Sequence, residues 1–323
     1  MKISIAMATY NGAQYIQEQL QSFIDQTRQP DELVITDDCS SDQTEAIVRD
    51  FAKTAPFNVE FHRNERNLGY CGNFNAALMK TTGDLVFLSD QDDVWFPEKI
   101  EHMIGVADRN PQALVVMNDA ALTDGELNEV GLTKVGQIRS AGFPMKFFVM
   151  GCCCGIRREL LDFCMPIPEG LKAHDNWIVQ FADAVNSKVV DERALQYYRR
   201  HESNESQFIA NRIKRVSRQQ AFFHSVKKMF GGDVRQKEKE QVGQQQLMID
   251  GIRRVLSAAP EEYRTGLLTM LRTAEANAKS YKLRVAAREK WLLPRIVATF
   301  CLLLRGGYRN TSGLKAVLRD IVG

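Results

Sequence analysis

This sequence of 323 residues lacks the long apolar runs of membrane proteins. No run approaches the roughly 20 residues that a helix needs to cross a bilayer, and Pro294 and Arg295 interrupt the best candidate, residues 291–304. The amino terminus also lacks a basic segment followed by an apolar one, because Thr9 and Asn11 break the first apolar stretch early. We therefore expect neither a membrane span nor a signal peptide.

The cysteines do not form the pattern of a disulfide framework. There are seven, an odd number, and Cys152, Cys153 and Cys154 are consecutive. This arrangement favours a reducing compartment, so we expect a cytoplasmic protein, and it lacks the C-x-x-C spacing of zinc sites. With 44% hydrophobic and 25% charged residues, the chain has the composition of a globular protein and not of a disordered one.

The net charge of +2 conceals two regions of opposite charge. Residues 1–204 carry 19 Lys and Arg against 30 Asp and Glu, a balance of −11, whereas residues 205–323 carry 23 against 10, a balance of +13. We therefore place a domain boundary near residue 205, with residues 1–205 and 206–323 meeting different partners. The basic region lacks the interleaved aromatics that stack on bases, so we expect no nucleic acid partner.

Short apolar runs alternate with helical patterns over the first 120 residues, which predicts an α/β fold with a mostly parallel sheet flanked by helices. The predicted strands are Ile3–Thr9, Leu33–Thr36, Val59–His62, Leu85–Ser89, Leu114–Asn118, Val189–Val190 and Leu195–Tyr198. The predicted helices are Ile16–Ile24, one after Asp42, one with Pro97 in its first turn and one opening near His174. From about Asn211 onward, the pattern is helical and rich in Gln, Lys and Arg.

An acidic cluster, Asp90-Gln91-Asp92-Asp93, directly follows one predicted strand. Hard oxygen ligands crowded in this way favour Mg²⁺ or Mn²⁺. Without a cation, the carboxylates would repel one another and any pyrophosphate, so an anionic ligand needs the metal as a bridge. The alternative is that these aspartates form a turn and cap a helix.

Polar residues also follow two other predicted strands. Tyr10 and Asn11 come after the first strand, and Asp38 comes after the second. Ligands of open α/β sheets bind outside the carboxyl ends of the strands, where a carboxylate such as Asp38 accepts hydrogen bonds from a ribose. Helix capping is the alternative for Asp38, and the loop around Asn67 and Gly69 is a weaker indication of close backbone approach.

Two further segments carry candidate chemistry. Asp175 stands at the opening of a predicted apolar helix, where it either caps the helix or acts as a general base toward an attacking hydroxyl. Arg199 and His201 follow a predicted strand, where they either lie on the surface or contact a diphosphate or metal.

Taken in order, these segments resemble the large family of inverting glycosyltransferases with a GT-A fold, which is related to the Rossmann fold. The resemblance is strongest to bacterial rhamnosyltransferase-like enzymes that build surface polysaccharides such as O-antigen or capsule. The matching segments, within about the first 205 residues, are Ala8–Gly12, Thr36–Asp42, Asn67–Gly69, Ser89–Trp95, His174–Trp177 and Tyr198–His201.

The resemblance implies a role for each matching residue. Those implied to bind the donor are Thr9, Tyr10, Asn11, Asp38, Asn67, Gly69, Asp90, Gln91 and Arg199. Asp92 is implied to be the main metal ligand, with Asp90 and His201 beside it, although Asp93 is a rival to Asp92. Asp175 is implied to be the catalytic base.

The implied reaction is the inverting, metal-dependent transfer of a single sugar, with rhamnose as a candidate, from a dTDP- or UDP-sugar. The acceptor would be a hydroxyl of a glycan or a lipid-linked glycan. The Gln-x-x-Arg-Trp element of processive synthases is missing, so we expect one sugar, or a few, to be added. The alternatives are a nucleotidyltransferase acting on sugar phosphates and a non-catalytic module that binds nucleotide sugars.

The resemblance does not reach the basic helices after residue 205. Their basic residues, at helical spacing with apolar ones, are Lys227, Lys228, Arg253, Arg254, Arg284, Arg288 and Lys290, and they lead into the apolar segments 291–293 and 300–304. Such helices can lie peripherally on the anionic inner face of a cell membrane, near a lipid-linked acceptor. They can equally pack on the catalytic domain or on a second subunit of a homo-oligomer.

Overall fold

The computed structural model describes residues 1–201, 204, 208–230, 234–308 and 314–322 of the chain. The chain divides into two compact units. Unit 1 comprises residues 1–167 and 172–218, and unit 2 comprises residues 168–171 and 219–323. Residue 205, near which we predict a boundary, lies outside the described residues, and the units separate between Arg218 and Gln219.

Unit 1 is built on a mostly parallel sheet. Its strands are β1 (Ile3–Thr9), β2 (Glu32–Asp37), β3 (Asn58–Arg63), β4 (Leu85–Ser89), β5 (Val94–Trp95), β6 (Val115–Thr123), β7 (Glu129–Thr133), β8 (Cys154–Arg157) and β9 (Lys188–Arg199). Their order is β3-β2-β1-β4-β8-β6-β9-β5, and β7 pairs with β6. Strands β1 to β4 are parallel, whereas β8 is antiparallel to both of its neighbours.

Helices flank this sheet. In unit 1 they are α1 (Ile16–Ile24), α2 (Thr44–Phe51), α3 (Gly69–Leu78), α4 (Lys99–Arg109), α5 (Lys134–Ser140), α6 (Arg158–Cys164) and α7 (His174–Ala184). Helix α8 (Arg218–Phe230) begins at the last residue of unit 1. Unit 2 contains α9 (Val234–Ala258), α10 (Glu261–Arg288), α11 (Leu292–Leu304) and α12 (Leu314–Val322). The predicted α/β fold with a helical extension is confirmed.

The apolar runs of the central strands explain their place in the sheet. Ile3, Ile5 and Met7 of β1 are fully buried, because helices cover the sheet and leave no solvent-facing side for the strand to present. On α1, Ile16, Leu20 and Phe23 form the buried stripe that their spacing predicts.

Some predicted element boundaries are wrong. The two short strands predicted between residues 189 and 198 are one strand, β9. The polar residues Asp191, Glu192 and Arg193 interrupt its apolar pattern, but β9 continues beside β6 through irregularities in register. Pro97 lies before α4 and not within its first turn, because the helix begins at Lys99.

Unit 2 contains a buried ionic cluster. Arg284 and Arg288, on α10, are 1% and 3% exposed, and both pair with Asp320 of α12. The hydroxyl of Tyr308 also donates to Asp320, at 2.8 Å. These two arginines therefore do not belong to the exposed basic surface that the sequence predicts. Within the described residues, none of the helices has the length and apolar character needed to span a membrane.

Glu32 connects three segments at the amino-terminal end of β2. Its side chain is buried and accepts hydrogen bonds from Ser4 Oγ at 2.6 Å and Thr82 N at 2.6 Å. Lys2 Nζ lies 2.8 Å from its other oxygen. Burial alone would raise the pKa of this carboxyl, but the bonds from Lys2, Ser4 and Thr82 lower it to about 2.

We predict that Glu32→Gln lowers the free energy of unfolding at pH 7, by roughly 1.5–3 kcal/mol, because it removes bonds to an ionised acceptor. The pKa of Glu32 is about 2 in the folded protein and 4.5 in the unfolded chain. The ionised carboxylate therefore contributes its full stabilisation above pH 4.5, and this stabilisation is lost as the pH falls toward 2. Urea unfolding from pH 7 to pH 3 should therefore show the two proteins converging. A difference that stays constant with pH would contradict this prediction, and Glu101→Gln, at an exposed position, is the control.

Candidate active site

Three loops meet at the carboxyl-terminal end of the parallel strands. Strands β2, β1 and β4 are adjacent and parallel, so the residues after them lie side by side. These residues are Asp38, Tyr10 and Asp90, each of which the sequence places in a candidate ligand site. This edge of the sheet is where α/β folds bind ligands.

The loops after β1 and β2 are joined by hydrogen bonds. The backbone N–H of Asn11 donates to Ser40 Oγ at 2.8 Å, and Asn11 Oδ1 accepts from the backbone of Ser41 at 2.8 Å. Asn11 and Cys39 both have left-handed backbones, with φ of 47° and 65°. Such conformations are uncommon for residues other than glycine and cluster at functional sites.

Thr9 and Tyr10 have opposite environments. Thr9 is 1% exposed, and its hydroxyl donates to Asp37 Oδ1 at 3.0 Å. The side chain of Tyr10 is 52% exposed. Of these two predicted nucleoside contacts, Tyr10 thus presents its ring to solvent, and Thr9 fixes the carboxylate that ends β2.

Asp38 holds the loop that precedes α3. Its Oδ1 atom accepts from Asn64 Nδ2 at 3.0 Å and from the backbone of Leu68 at 2.7 Å. The amide of Asn67 donates to the backbone carbonyl of Asp38 at 3.2 Å. Gly69 then opens α3 with a φ of +71°, which a glycine adopts without strain. Asn67 and Gly69 therefore shape the loop beside Asp38.

Gln91 joins the acidic cluster to the loop after β1. Its Oε1 accepts from the backbone N–H of Tyr10 at 2.9 Å, and its Nε2 donates to the carbonyl of Tyr10 at 3.0 Å. A Cβ on Gly12 would lie 2.2 Å from Gln91 Oε1. The glycine is therefore required for Gln91 to reach the backbone of Tyr10.

Asp93 points into the core. Its Oδ2 accepts from Gln196 Nε2 of β9 at 2.8 Å, and the same Gln196 accepts from Lys99. Lys99 is fully buried, donates to the carbonyl of Cys152 at 2.8 Å and lies 3.7 Å from the ring centre of Trp95. Burial lowers the pKa of Lys99 to about 8. A buried cation thus lies behind the acidic cluster.

Asp92 faces the segment after β9. Its Oδ2 atom lies 2.8 Å from His201 Nε2 and accepts from Asn204 Nδ2 at 2.9 Å. The guanidinium of Arg199 is buried and donates to the backbone carbonyl of Asp92 at 2.9 Å. Arg199 also pairs with Glu18 of α1. It therefore holds the acidic loop in place.

Asp175 lies close to the acidic cluster. Burial, together with the carboxylates of Asp92 and Asp175, raises the pKa of Asp90 to about 7. A Cβ on Gly151 would lie 3.6 Å from both Asp175 Cβ and Leu88 of β4. Asp175 is the second residue of α7, and its Oδ1 atom accepts from the backbone N–H of Asn176 at 2.7 Å, as a residue that caps the helix would. The fold also brings this predicted base to the end of β4.

His174, beside the predicted base, is buried and stacks on Phe74 with ring centres 4.0 Å apart. Among the described residues, neither of its ring nitrogens has a hydrogen-bond partner. Burial lowers the pKa of its imidazole, which is therefore neutral near pH 7. A Cβ on Gly151 would lie 2.8 Å from its Nε2. Only a glycine at position 151 leaves room for this ring.

The carboxylates fit a hard divalent cation. Asp90, Asp93 and Cys152 bring possible ligand atoms within 4.8 Å of one another. Burial raises the pKa of the Cys152 thiol well above its ordinary value, so this group stays protonated and is a poor ligand for Mg²⁺ or Mn²⁺. Asp90 and Asp92 repel each other, and a cation between them would relieve that repulsion.

Sequence reasoning missed several residues of this site, namely Tyr15, Glu18, Lys99, Gln196 and Asn204. The sequence does contain an indication that Lys99 is buried. The helical period of α4 places it on the same face as Ile100 and Met103, where an apolar residue is expected. Tyr15 lies 4.6 Å from the Arg199 guanidinium and 4.7 Å from the His201 ring, a contact that joins distant segments and leaves no local pattern.

Comparison with known proteins identifies the fold and the family. A family model described as Glycosyl transferase family 2 matches residues 4–164. The dTDP-rhamnosyl transferase RfbG of Shigella flexneri is 30% identical over 216 residues, which cover 62% of this chain and 73% of the relative. An uncharacterized glycosyltransferase of Nostoc sp. is 33% identical over 127 residues, and the alignment covers 39% of this chain but only 38% of that protein.

The solved structure of S. aureus TarS with UDP-GlcNAc superposes with a TM-score of 0.56 at 19% identity, covering 99% of this chain and 90% of that one. This likeness supports the fold, which is of the predicted GT-A type. The family model and the 30% identical relative identify a glycosyltransferase. The chain belongs to glycosyl transferase family 2.

We predict that Gly151→Ala lowers the rate of the enzyme's reaction by on the order of 100-fold, because the new Cβ displaces His174 and, with it, Asp175. Overpacking should also cost about 1–3 kcal/mol of stability. The rate is measured by release of nucleoside diphosphate and the stability by thermal unfolding. The matched control is Gly243→Ala, since a Cβ there meets nothing within 4 Å and should leave the rate unchanged. Equal rates for both variants and the wild type would contradict the prediction.

Proposed function

We propose that this chain transfers a single sugar, with inversion, from a nucleoside-diphosphate sugar to a hydroxyl of a glycan acceptor. The observation that carries the proposal is the acidic cluster at the carboxyl ends of parallel strands, with the Asp175 carboxylate close enough to raise the pKa of Asp90. Such a site would hold an anionic leaving group at the acidic cluster, with Asp175 as the base beside it.

Asp92, Asp90 and His201 are the residues that would hold Mg²⁺ or Mn²⁺. A bound cation would neutralise the charge that develops on the departing diphosphate. Asp93 is an unsuitable main ligand, because it is fully buried and hydrogen-bonded to Gln196. This environment favours Asp92 over Asp93, the choice that the sequence leaves open.

The residues proposed for donor binding are of two kinds: some would contact the donor, and others hold the loops that contact it. Tyr10, whose ring is exposed, would pack against the nucleobase. Asn11 follows it in the same loop, and Asp38 lies in the adjoining loop after β2. Gln91 and Arg199 would act by holding the loops, since their polar groups bond to the backbones of Tyr10 and Asp92. The similarity to a dTDP-rhamnosyl transferase supports dTDP-rhamnose as the donor. A UDP-sugar is the alternative that the TarS complex with UDP-GlcNAc supports.

Asp175 would accept the proton of the acceptor hydroxyl as that oxygen attacks the sugar. The half-buried carboxylate sits on the first turn of α7, which fixes its backbone. A single carboxylate is enough, because the diphosphate leaves without needing a proton. Attack from the side opposite the diphosphate inverts the anomeric centre.

For the acceptor, we propose a growing surface polysaccharide, either free or linked to a lipid on the inner face of the cell membrane. This acceptor class is the one that the resemblance to bacterial rhamnosyltransferase-like enzymes implies. Assembly of a homo-oligomer through the helices of unit 2 stays a prediction.

Incubation with a panel of nucleotide sugars and Mn²⁺ tests the reaction. We predict release of nucleoside diphosphate, fastest with dTDP-rhamnose, and its loss when EDTA removes the metal. The anomeric configuration of the product, measured by NMR, should be the inverse of that in the donor. Pyrophosphate release would identify a nucleotidyltransferase instead, and donor binding without turnover would identify a binding module.

We predict that Asp175→Asn leaves the donor Kd within about twofold and lowers kcat by roughly 10²–10⁴-fold, the usual worth of a general base. Calorimetry measures the first quantity and diphosphate release the second. Asp183→Asn is the matched control, because this aspartate lies on the same helix and pairs with Lys188. Unchanged turnover in Asp175→Asn would show that another group is the base.

A further inference from the structure

Helix α11 has an apolar face that no described residue covers. Leu293, Val297, Phe300 and Leu304 follow one another at intervals of four, three and four residues, so they share one side of the helix. They are 62%, 62%, 51% and 86% exposed, and Trp291, just before the helix, is 70% exposed. We call these five residues the exposed stripe.

The exposed stripe is separate from the face that α11 uses for folding. Ala298 and Leu302, on its other side, pack in a cluster with Ala287 of α10 and with Ala316 and Val317 of α12. The helix is thus already held in unit 2 by one apolar face. The second face adds exposed apolar surface that folding does not use, which in soluble proteins marks a binding surface.

A groove runs along the exposed stripe between α10 and α11. It has a volume of about 720 Å³ and is lined mainly by apolar side chains, among them Leu283, Ala286, Val297 and Cys301. Of the described residues that line it, Lys290 and Arg305 are the charged ones, and both are cationic. An occupant of this groove therefore combines apolar and anionic groups.

The charges beside the exposed stripe distinguish between its possible binding partners. Between Glu289 and Asp320 the sequence contains no acidic residue, and Asp320 is buried in its pairs with two arginines. Among the residues of this stretch whose side chains the structure describes, the charged ones are Lys290, Arg295 and Arg305. A second copy of this surface would bring like charges together, whereas an anionic lipid surface is complementary to it.

The length of α11 indicates how the helix would lie relative to a lipid bilayer. Its 13 residues span about 20 Å at 1.5 Å per residue, less than the roughly 30 Å of a bilayer core. A helix of this kind lies in the plane of the interface, with apolar side chains in the acyl boundary and basic ones at the phosphates. Trp291, just before the helix, is of a residue type that is enriched at the membrane–water interface.

We propose that the exposed stripe inserts into the surface of an anionic lipid bilayer, with Lys290, Arg295 and Arg305 contacting lipid phosphates. The inference concerns unit 2 and does not depend on the donor, the metal or the base of the proposed reaction. If the acceptor is lipid-linked, this contact would bring the enzyme to the membrane that contains it.

Cys301 provides a reporter for this contact. It lines the groove and is the exposed cysteine among those described, five of the others being buried and Cys39 half-buried. The full-length protein labelled there with an environment-sensitive fluorophore should show a blue-shifted, brighter emission with phosphatidylglycerol-containing vesicles. Neutral phosphatidylcholine vesicles should give a much smaller change, and 0.5 M salt should weaken the binding. Cys301→Ser is the control for labelling at other sites.

Two variants separate the stripe from general surface effects. Val297→Glu with Phe300→Glu should reduce partitioning into anionic vesicles at least tenfold in sedimentation, with an unchanged circular dichroism spectrum. Leu268→Glu, at an apolar position of α10 that is 38% exposed and outside the groove, should bind like the wild type. Arg305→Gln tests the charge without altering the apolar stripe and should weaken binding to anionic vesicles alone.

Three results would overturn the proposal. The first is the absence of binding to anionic vesicles at low salt, and the second is equal binding by the double variant and the wild type. The third is a dimer in analytical ultracentrifugation that the double variant dissociates, because a second copy of the chain would then cover the stripe.

Discussion

The repulsion among Asp90, Asp92 and Asp93 is the constraint on which the rest of the site depends. Three carboxylates in four residues, at the end of a buried strand, cannot all be ionised and close together unless positive groups or hydrogen-bond donors separate them. The surrounding fold supplies different partners to each one. This division gives the three aspartates different surroundings although their sequence context is nearly the same.

Strand β9 and the segment after it supply most of these partners. Gln196 bonds to Asp93 and links it to the buried Lys99, while Arg199 and His201 bond to Asp92. β9 also pairs with β5, the short strand that follows the cluster. The distant end of unit 1 therefore positions the acidic loop, while Asp90 lies close to Cys152 and Asp175.

The sequence was informative where the signal is local. Apolar runs predict β1 to β4, and the sheet order then brings Tyr10, Asp38 and Asp90 to one edge, as expected. Partners that are distant in sequence left no such signal. Nothing near Arg284 indicates its pairing with Asp320, so a cation that looks exposed on a helical pattern is buried. Likewise, the spacing of Asp90 to Asp93 does not reveal which carboxylate turns into the core.

We propose that the acidic cluster binds a divalent cation together with the diphosphate of the donor. Anomalous diffraction from crystals grown with Mn²⁺ and dTDP or UDP tests it most directly. We expect one manganese peak about 2.1 Å from an oxygen of Asp92 and from a diphosphate oxygen, the distance typical of small hard cations. A diphosphate bound at this edge of the sheet with no manganese at Asp90 or Asp92 would contradict it.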